Sequence, residues 1–458
     1  MVKIGLEVHA YLNTHTKLFC SCSTIGITEA VENSRVCPTC LGLPGSKPVL
    51  NSSAINVGLK IALSLQCKLP KEMFFSRKTY FYPDMSKNYQ ITQYEIPIAS
   101  KGKMESADES GKPFSVSITR LNLEEDPAKI EHVGGSITEA KYTLLDYNRS
   151  GLPLCEIVTD PVFKTPRQAR LFLQNLEAVL RYIGALHPLF SLKADANISV
   201  TGGERVEVKN VTGYREVERA LQFEIVRQNN LVRRGEKVER ETRLWDAQAK
   251  VTRTMRKKET EEDYGYIFDP DLPRFSISKE SMKIISKTLP ELPREKIARF
   301  IKSGVPREIA KSIAGDLQLA LFFEKLKSKS APRWMLLLKK TLNYNDILVS
   351  EIKLSPEQFE KLIVAVEKGE LSERAGELIL REAILKPEKL TKLIEDNRTL
   401  SEKELKKIIS EVIKKEKSAA KILRKGNRKA LEFLVGKVMK ASDRKAEPKN
   451  VKKMLRKL

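Results

Sequence analysis

Near the start of the chain, Ile4-Gly5-Leu6-Glu7-Val8-His9 alternates apolar side chains with Gly5, Glu7 and His9. Successive strand residues point to opposite faces, so Glu7 and His9 project together from a strand whose other face is apolar. Residues 192–200 repeat the pattern, with Leu192, Ala194, Ala196, Ile198 and Val200 on one side and Lys193, Asp195, Asn197 and Ser199 on the other. Thr201-Gly202-Gly203-Glu204 then turns the chain, and Val206 and Val208 alternate with Glu207 and Lys209. This predicts a hairpin whose charged sides face together. Further acids stand at Leu123-Glu124-Glu125-Asp126 and Leu154-Cys155-Glu156-Ile157, beside two more expected strands. Carboxylates and one imidazole converging on a sheet face would make a hard-cation site of the Mg2+ type, suited to a nucleotide phosphate. A water-exposed sheet face is the competing reading of the same charges. Against it stands the mixture of His, Asp and Asn, with little Thr, Ser or Lys filler.

Four of the six cysteines cluster as Cys20-Ser21-Cys22 and Cys37-Pro38-Thr39-Cys40, with 14 residues between the pairs. Two short chelating pairs suit a tetrahedral four-thiolate zinc site, whose closed shell holds structure and performs no catalysis. A disulfide framework belongs to small secreted chains. This chain has 458 residues, and Glu7 and His9 occupy the stretch where a signal peptide needs an apolar run. Cys67 and Cys155 have apolar neighbours and are expected to be ordinary buried thiols.

The elements that must position these groups form a mixed region over roughly the first 275 residues, with short alternating segments and few helices. One helix is well marked by Thr165 as N-cap, Pro166 at its first position and Gly184 as its stop, and a second runs from about Tyr214 to Arg234 before Gly235. After Leu289-Pro290-Glu291-Leu292-Pro293 the pattern is amphipathic helix to the end, with a break near Asn397-Arg398-Thr399-Leu400. The expected division is 1–277, 278–396 and 397–458.

Composition narrows the function classes. With 82 basic and 59 acidic residues the net charge is +23, and residues 401–458 hold 20 Lys/Arg against 7 Asp/Glu. Charge alone leaves open a nucleic-acid partner and a solvated, ion-paired surface. No apolar stretch is long enough for a bilayer span, and a cytoplasmic protein without membrane contact is expected. The chain contains no GxxxxGK[ST] loop, GxGxxG, HExxH or GxSxG, so a bound nucleotide would not sit in a Walker cradle. Gly134-Gly135-Ser136 is an isolated fragment, expected to be a turn.

These residues resemble a known family, the GatB component of the tRNA-dependent aspartyl/glutamyl amidotransferases (GatCAB). The likeness begins with Ile4 to His9, the four cysteines and Leu41-Gly42-Leu43-Pro44-Gly45. It continues through Arg77-Lys78-Thr79-Tyr80-Phe81-Tyr82-Pro83-Asp84 and Lys87-Asn88-Tyr89-Gln90-Ile91-Thr92-Gln93. Asp146 to Gly151, Pro153 to Val158, Asp195 to Ser199, Glu207 to Asn210, Glu241-Thr242-Arg243 and Asp269 to Pro273 follow, and Gly436 to Ala441 resembles a YqeY-like tail. Lys193-Ala194 departs from the family's usual Arg-Cys, which exchanges a bidentate fork for a point charge.

The resemblance implies an α+β fold: a glutamine-synthetase-like antiparallel-sheet cradle, then an all-helical domain and a YqeY-like helical tail. It implies ATP-dependent phosphorylation of the side-chain carboxylate on mischarged Glu-tRNA(Gln) or Asp-tRNA(Asn). Amidation by ammonia would follow, supplied from glutamine by a GatA-like amidase in a complex braced by a small GatC-like component. ATP, Mg2+ and Zn2+ are the implied cofactors. By position it makes Glu7, His9, Glu125, Glu156 and Asp195 catalytic, with Glu7, His9, Glu124, Glu125 and Glu156 around magnesium. Lys78, Lys193, Lys209 and Arg243 become phosphate or carboxylate clamps, for each of which a structural ion pair is the other reading. Tyr82 and Asn88 would shape the nucleotide pocket or pack its wall. A non-catalytic zinc protein that binds RNA would leave the acids unexplained, because they repel a phosphate backbone. The GatE relative carries an inserted synthetase-like domain for which this chain has no room.

Overall fold

The computed structural model describes residues 1–458 apart from 109, 135–139, 258–264, 401, 425–426, 443–444, 447 and 457–458. Gly135 and Ser136 of the isolated glycine fragment therefore lie outside the described residues. The chain forms two compact units, Met1–Pro293 and Arg294–Leu458.

The first unit contains, in chain order, β1 (Val2–Tyr11), α1 (Ser52–Ser64), β2 (Ser76–Thr79), β3 (Tyr89–Thr92), β4 (Ala99–Ala107), β5 (Pro113–Glu125), β6 (Lys129–Val133) and β7 (Tyr142–Asp146). Then come β8 (Pro153–Thr159), α2 (Pro166–Tyr182), β9 (Lys193–Val200), β10 (Val206–Thr212), α3 (Tyr214–Arg233), β11 (Glu241–Asp246), β12 (Val251–Lys257), β13 (Tyr266–Phe268) and α4 (Lys279–Lys287). Eight strands make one sheet in the order β12-β11-β10-β9-β1-β8-β5-β4. Its pairings are antiparallel except for β10 with β11, which run parallel. That exception follows from the connection: α3 crosses between them, as parallel neighbours require. A smaller sheet, β13-β2-β3, and the hairpin β6-β7 complete the unit.

Alternation along the strands makes one face of the large sheet apolar. Ile4, Leu6, Val8, Ala194, Ala196, Ile198, Val206 and Val208 are buried in a core with Ile55 and Leu59 of α1, Phe172 and Leu176 of α2, and Val217 and Leu221 of α3. The helices start where the sequence says they should. The Thr165 side chain accepts from Gln168 N–H at 3.2 Å, Pro166 opens α2, and Gly184 takes the left-handed conformation (φ 67) beyond its end. The helix α4 lies beyond residue 277 and still gives Ile285 to this core.

The second unit is helical: α5 (Pro293–Lys302), α6 (Arg307–Ala314), α7 (Leu317–Phe323), α8 (Ala331–Tyr344), α9 (Pro356–Glu367), α10 (Glu373–Ala383), α11 (Leu390–Asp396), α12 (Glu402–Lys415), α13 (Lys417–Arg424), α14 (Arg428–Ala441) and α15 (Pro448–Leu455). Trp334 of α8 meets Phe359 of α9 edge-on, and Gly376 lets α10 approach that indole, because a Cβ there would lie 2.7 Å from it. The last four helices share their own apolar core, built on Leu405, Ile409, Leu431, Leu434, Val438 and Val451. Among the described residues no helix is long and apolar enough to cross a membrane.

Candidate functional site

The polar face of the large sheet centres on β1. Antiparallel register sets Glu7 opposite Asp195 of β9 and puts His9 between Glu156 of β8 and Lys193 of β9. The row continues outward through Asn197 and Glu207 on one side and through Asn122 on the other, where Asn122 pairs with Glu156. Glu124 shares the Asn122 face of β5, and its Oε1 lies 3.6 Å from His9 Nε2. Of the carboxylates expected to converge from separate segments, Glu7, Glu124, Glu156, Asp195 and Glu207 thus lie together, and register is what joins them. A bulge in the β9/β10 pairing, where Val208 meets Ala196 and Val211 meets Ala194, gives β10 an extra residue beside Asp195. Lys209 there places Nζ 3.2 Å from both Asp195 Oδ2 and Glu207 Oε1.

The electrostatics are those of too much negative charge in too little water. Burial raises the Glu7 pKa, and Glu156, Glu207 and Asp195 push it further. Burial, then Glu156, pushes Glu124 up to about 7. For His9 burial acts downward, but Glu124, Asp195, Glu156 and Glu7 outweigh it and raise the pKa. Lys209 is likewise raised, because Asp195 and Glu207 overcome the effect of burial. Two amides report on what this face would accept. Asn122 Nδ2 donates to Glu156 Oε2 and Asn197 Nδ2 donates to Glu7 Oε1, each at 2.9 Å, while both buried Oδ1 atoms have no hydrogen-bond partner among the described residues. Buried acceptors without donors, beside mutually repelling carboxylates, form a donor set that fits a hard divalent cation.

Not every expected residue lies here. Glu125 follows Glu124 on the same strand and turns to the other side. It pairs with Lys87 and accepts the Ile91 N–H at 2.8 Å, so the geometry separates it from the His9 cluster. Arg243 is the clearest departure. It neighbours Thr242, whose hydroxyl reaches Glu207 at 3.2 Å on the site face, and so points away from that face. Its guanidinium is buried against α3 and donates to Thr252, Thr254 and Glu241, with Glu224 Oε1 3.2 Å from its Nε. The structure thus holds Arg243 in an ion-pair network on the side of β11 away from the carboxylate face, where it was expected as a clamp. Lys78 stays near the site, where its charge acts on Glu124, and Thr92 of the neighbouring β3 donates to Glu124 Oε2 at 3.3 Å. Tyr82 is 37% exposed in the loop after β2. Asn88 closes that loop with a left-handed backbone (φ 61), accepting from Tyr80 N–H at 3.0 Å.

Lys193 sits in a chain that composition does not announce. Its Nζ donates to Tyr11 Oη at 3.0 Å, Tyr11 donates to Asp126 Oδ2 at 2.7 Å, and Arg149 Nε lies 3.0 Å from the same oxygen. Burial lowers the Lys193 pKa. Strand parity alone, running Glu7, His9, Tyr11, could have added Tyr11 to the site; Arg149 comes from a distant loop and carried no such signal.

The cysteine cluster forms as the spacing predicts. The Sγ atoms of Cys20, Cys22, Cys37 and Cys40 all lie within 4.8 Å of one another, and none is in a disulfide. Four sulfurs at zinc's usual bond length would be about 3.8 Å apart, and Cys40 Sγ is 3.9 Å from Cys37 Sγ. The Cys37 N–H points at Cys40 Sγ at 3.1 Å. The cluster could hold a metal ion and is compatible with zinc. Cys155 is buried and Cys67 partly so, as expected, and burial pushes the Cys67 thiol up to about 12.

Comparison with known proteins bears on the whole length. A family model described as the GatB/GatE catalytic domain matches residues 2–283, and one described as a GatB domain matches residues 321–458. The GatB-type component of the aspartyl/glutamyl-tRNA(Asn/Gln) amidotransferase of Thermotoga maritima is 41% identical, covering 99% of this chain and 98% of the relative. The protein of the same name from Saccharolobus solfataricus is 42% identical over 100% and 99%, and that from Methanoregula boonei 39% identical over 99% and 97%.

Proposed function

The chain belongs to the GatB family, and from that premise we propose that it is the component that activates and amidates the side-chain carboxylate of Glu-tRNA(Gln), Asp-tRNA(Asn) or both. The observation that carries this reading is the polar face around His9, where excess carboxylates stand beside two amide oxygens without donors.

The reaction has two displacements. A substrate carboxylate oxygen attacks the γ-phosphorus of ATP, and ADP leaves. Ammonia then attacks the carbonyl carbon of the acyl phosphate, inorganic phosphate leaves, and a proton is lost to give the amide. Without the first step, ammonia would face a carboxylate, which has no leaving group. Glu7, His9, Glu124 and Glu156 would hold Mg2+, which neutralises phosphate charge when bound. Asp195 holds Lys209, and Lys209 with Lys193 and Lys78 supplies positive charge toward the phosphates. Tyr82 is proposed at the pocket wall. Glu125 and Asn88 act at one remove, through Lys87 and the loop backbone.

A GatA-like amidase would release the ammonia from glutamine, with a GatC-like protein completing a heterotrimer in the cytoplasm. The four cysteines would hold Zn2+ as a structural ion. The division of the helical part at 396/397 is supported by the separate core of the last four helices, and their basic surface suits the tRNA backbone. Removing the residues after Leu400 is expected to weaken tRNA binding and flatten its salt dependence. The deciding experiment mixes the protein with an amidase partner, glutamine, ATP, Mg2+ and each mischarged tRNA. Conversion of at least one to its amide is expected, and conversion of neither overturns the reading.

A further inference from the structure

Lys17 has no exposed surface and is among the largest fully buried side chains of the protein. Lysines are almost never buried without a partner, because an ammonium loses its hydration there. Among the described residues no carboxylate pairs with it. Its Nζ instead donates to Cys40 Sγ at 3.6 Å and to the Tyr147 carbonyl at 3.1 Å. Its stem lies against Gly151, where a Cβ would come within 3.4 Å of Lys17 Cδ. Four thiolates around one divalent ion leave an excess of two negative charges, so a buried cation touching one sulfur has an electrostatic reason to be there. Cys40 is also the member of the cluster most tied to its surroundings. Its carbonyl accepts from Ser86 Oγ at 3.0 Å and Ser150 Oγ at 3.5 Å.

We propose that Lys17 is the positioning counter-charge of the four-cysteine centre, offsetting its thiolates and pinning Cys40 to the loop 147–151. That loop delivers Arg149 to Asp126, and Asp126 to Tyr11 beside the carboxylate face. The metal centre is thereby mechanically continuous with the wall of the active site. The inference rests on the cysteines holding zinc.

The test uses the full chain loaded with zinc, as wild type, Lys17→Met and Lys17→Arg. Zinc content and the rate of zinc transfer to a chromogenic chelator are measured, with the thiolate-to-metal charge-transfer band of the cobalt(II) forms. Losing an outer-sphere partner should speed release about 10- to 100-fold in Lys17→Met and shift the band. Lys17→Arg, which keeps the charge, should stay within about threefold of wild type. Wild type that holds zinc beside a Lys17→Met protein with the same release rate and band overturns the inference alone. Wild type without zinc overturns the metal reading and the inference with it. Should Lys17→Met fail to fold, amine acylation of wild type read by mass spectrometry decides. Lys17 should be protected with zinc bound and modified once zinc is chelated, and equal modification in both states overturns the proposal.

Discussion

Two buried groups of charge lie on opposite sides of the same sheet, and they are balanced in opposite ways. Behind β11, Glu224 is fully buried but accepts from both Arg227 and Gln228, and Arg243 adds its own charge while also serving Glu241, Thr252 and Thr254. On the polar face, Glu7, Glu124, Glu156, Asp195 and Glu207 gather around His9, Lys209 and Lys78, with two amide oxygens left over. Both clusters are charged and buried. One sets two guanidiniums against two carboxylates and serves stability, although Gln228 Oε1 there is also a buried amide oxygen without a partner among the described residues; the other keeps an excess of negative charge, which would suit a cation. Counting charged residues cannot separate them, whereas matching each carboxylate to its countercharge does.

The contrast can be broken from either side. The largest effect is expected from Arg243→Met, which leaves Glu224 short of a countercharge. It should cost the first unit about 3–5 kcal/mol of stability, measured by denaturant unfolding. A loss below about 1 kcal/mol would place Arg243 outside the structural network. Glu156→Gln and His9→Ala should do the reverse, reducing amidation at least about a hundredfold while the melting temperature holds or rises. An active His9→Ala protein would remove the cation site from the carboxylate face.

Magnesium should separate the clusters next. If the carboxylate face holds it, and the unfolded chain does not, it should raise the melting temperature of wild type and of Arg243→Met, by about 2.7 kcal/mol equivalent at a hundredfold excess over its dissociation constant. It should do little for Glu156→Gln, and an equal rise in all three proteins would assign the effect elsewhere. The smallest and most pointed effect concerns pH. The folded Glu124 pKa of about 7 lies above its ordinary value of 4.5, so the folded state binds the extra proton and stability falls as pH rises between those values. Measured without divalent cation, the stability of wild type relative to Glu124→Gln should decline from about pH 4.5 to 7 and level off above. A flat difference would mean that Glu124 is ionised throughout and already paired.

Much of the site was legible along the chain. Two-residue alternation put Glu7 with His9, and Asp195 with Asn197, on one strand face each, and the cysteine spacing predicted a cluster whose sulfurs indeed converge. Capping by Thr165 and the glycine stop bounded α2 correctly. These are local properties, settled by bond geometry and by the nearest few residues.

What the sequence could not settle by itself was every question that turns on pairing between distant strands. Glu124 and Glu125 are adjacent, so they cannot share a face, yet which of them faces His9 depends on the register of β5 with β8. Arg243 could have stood on either side of β11; its pairing with β10 put Thr242 on the site face and sent the guanidinium to α3. Lys17 carried no signal at all among 82 basic residues, and only the packing of three separate loops made it a buried cation against a thiol. Alternation is a consequence of the backbone and travels with the sequence. Register and burial are consequences of contacts between segments far apart in the chain, so the tertiary structure alone decides which charges keep their water and which must find a partner.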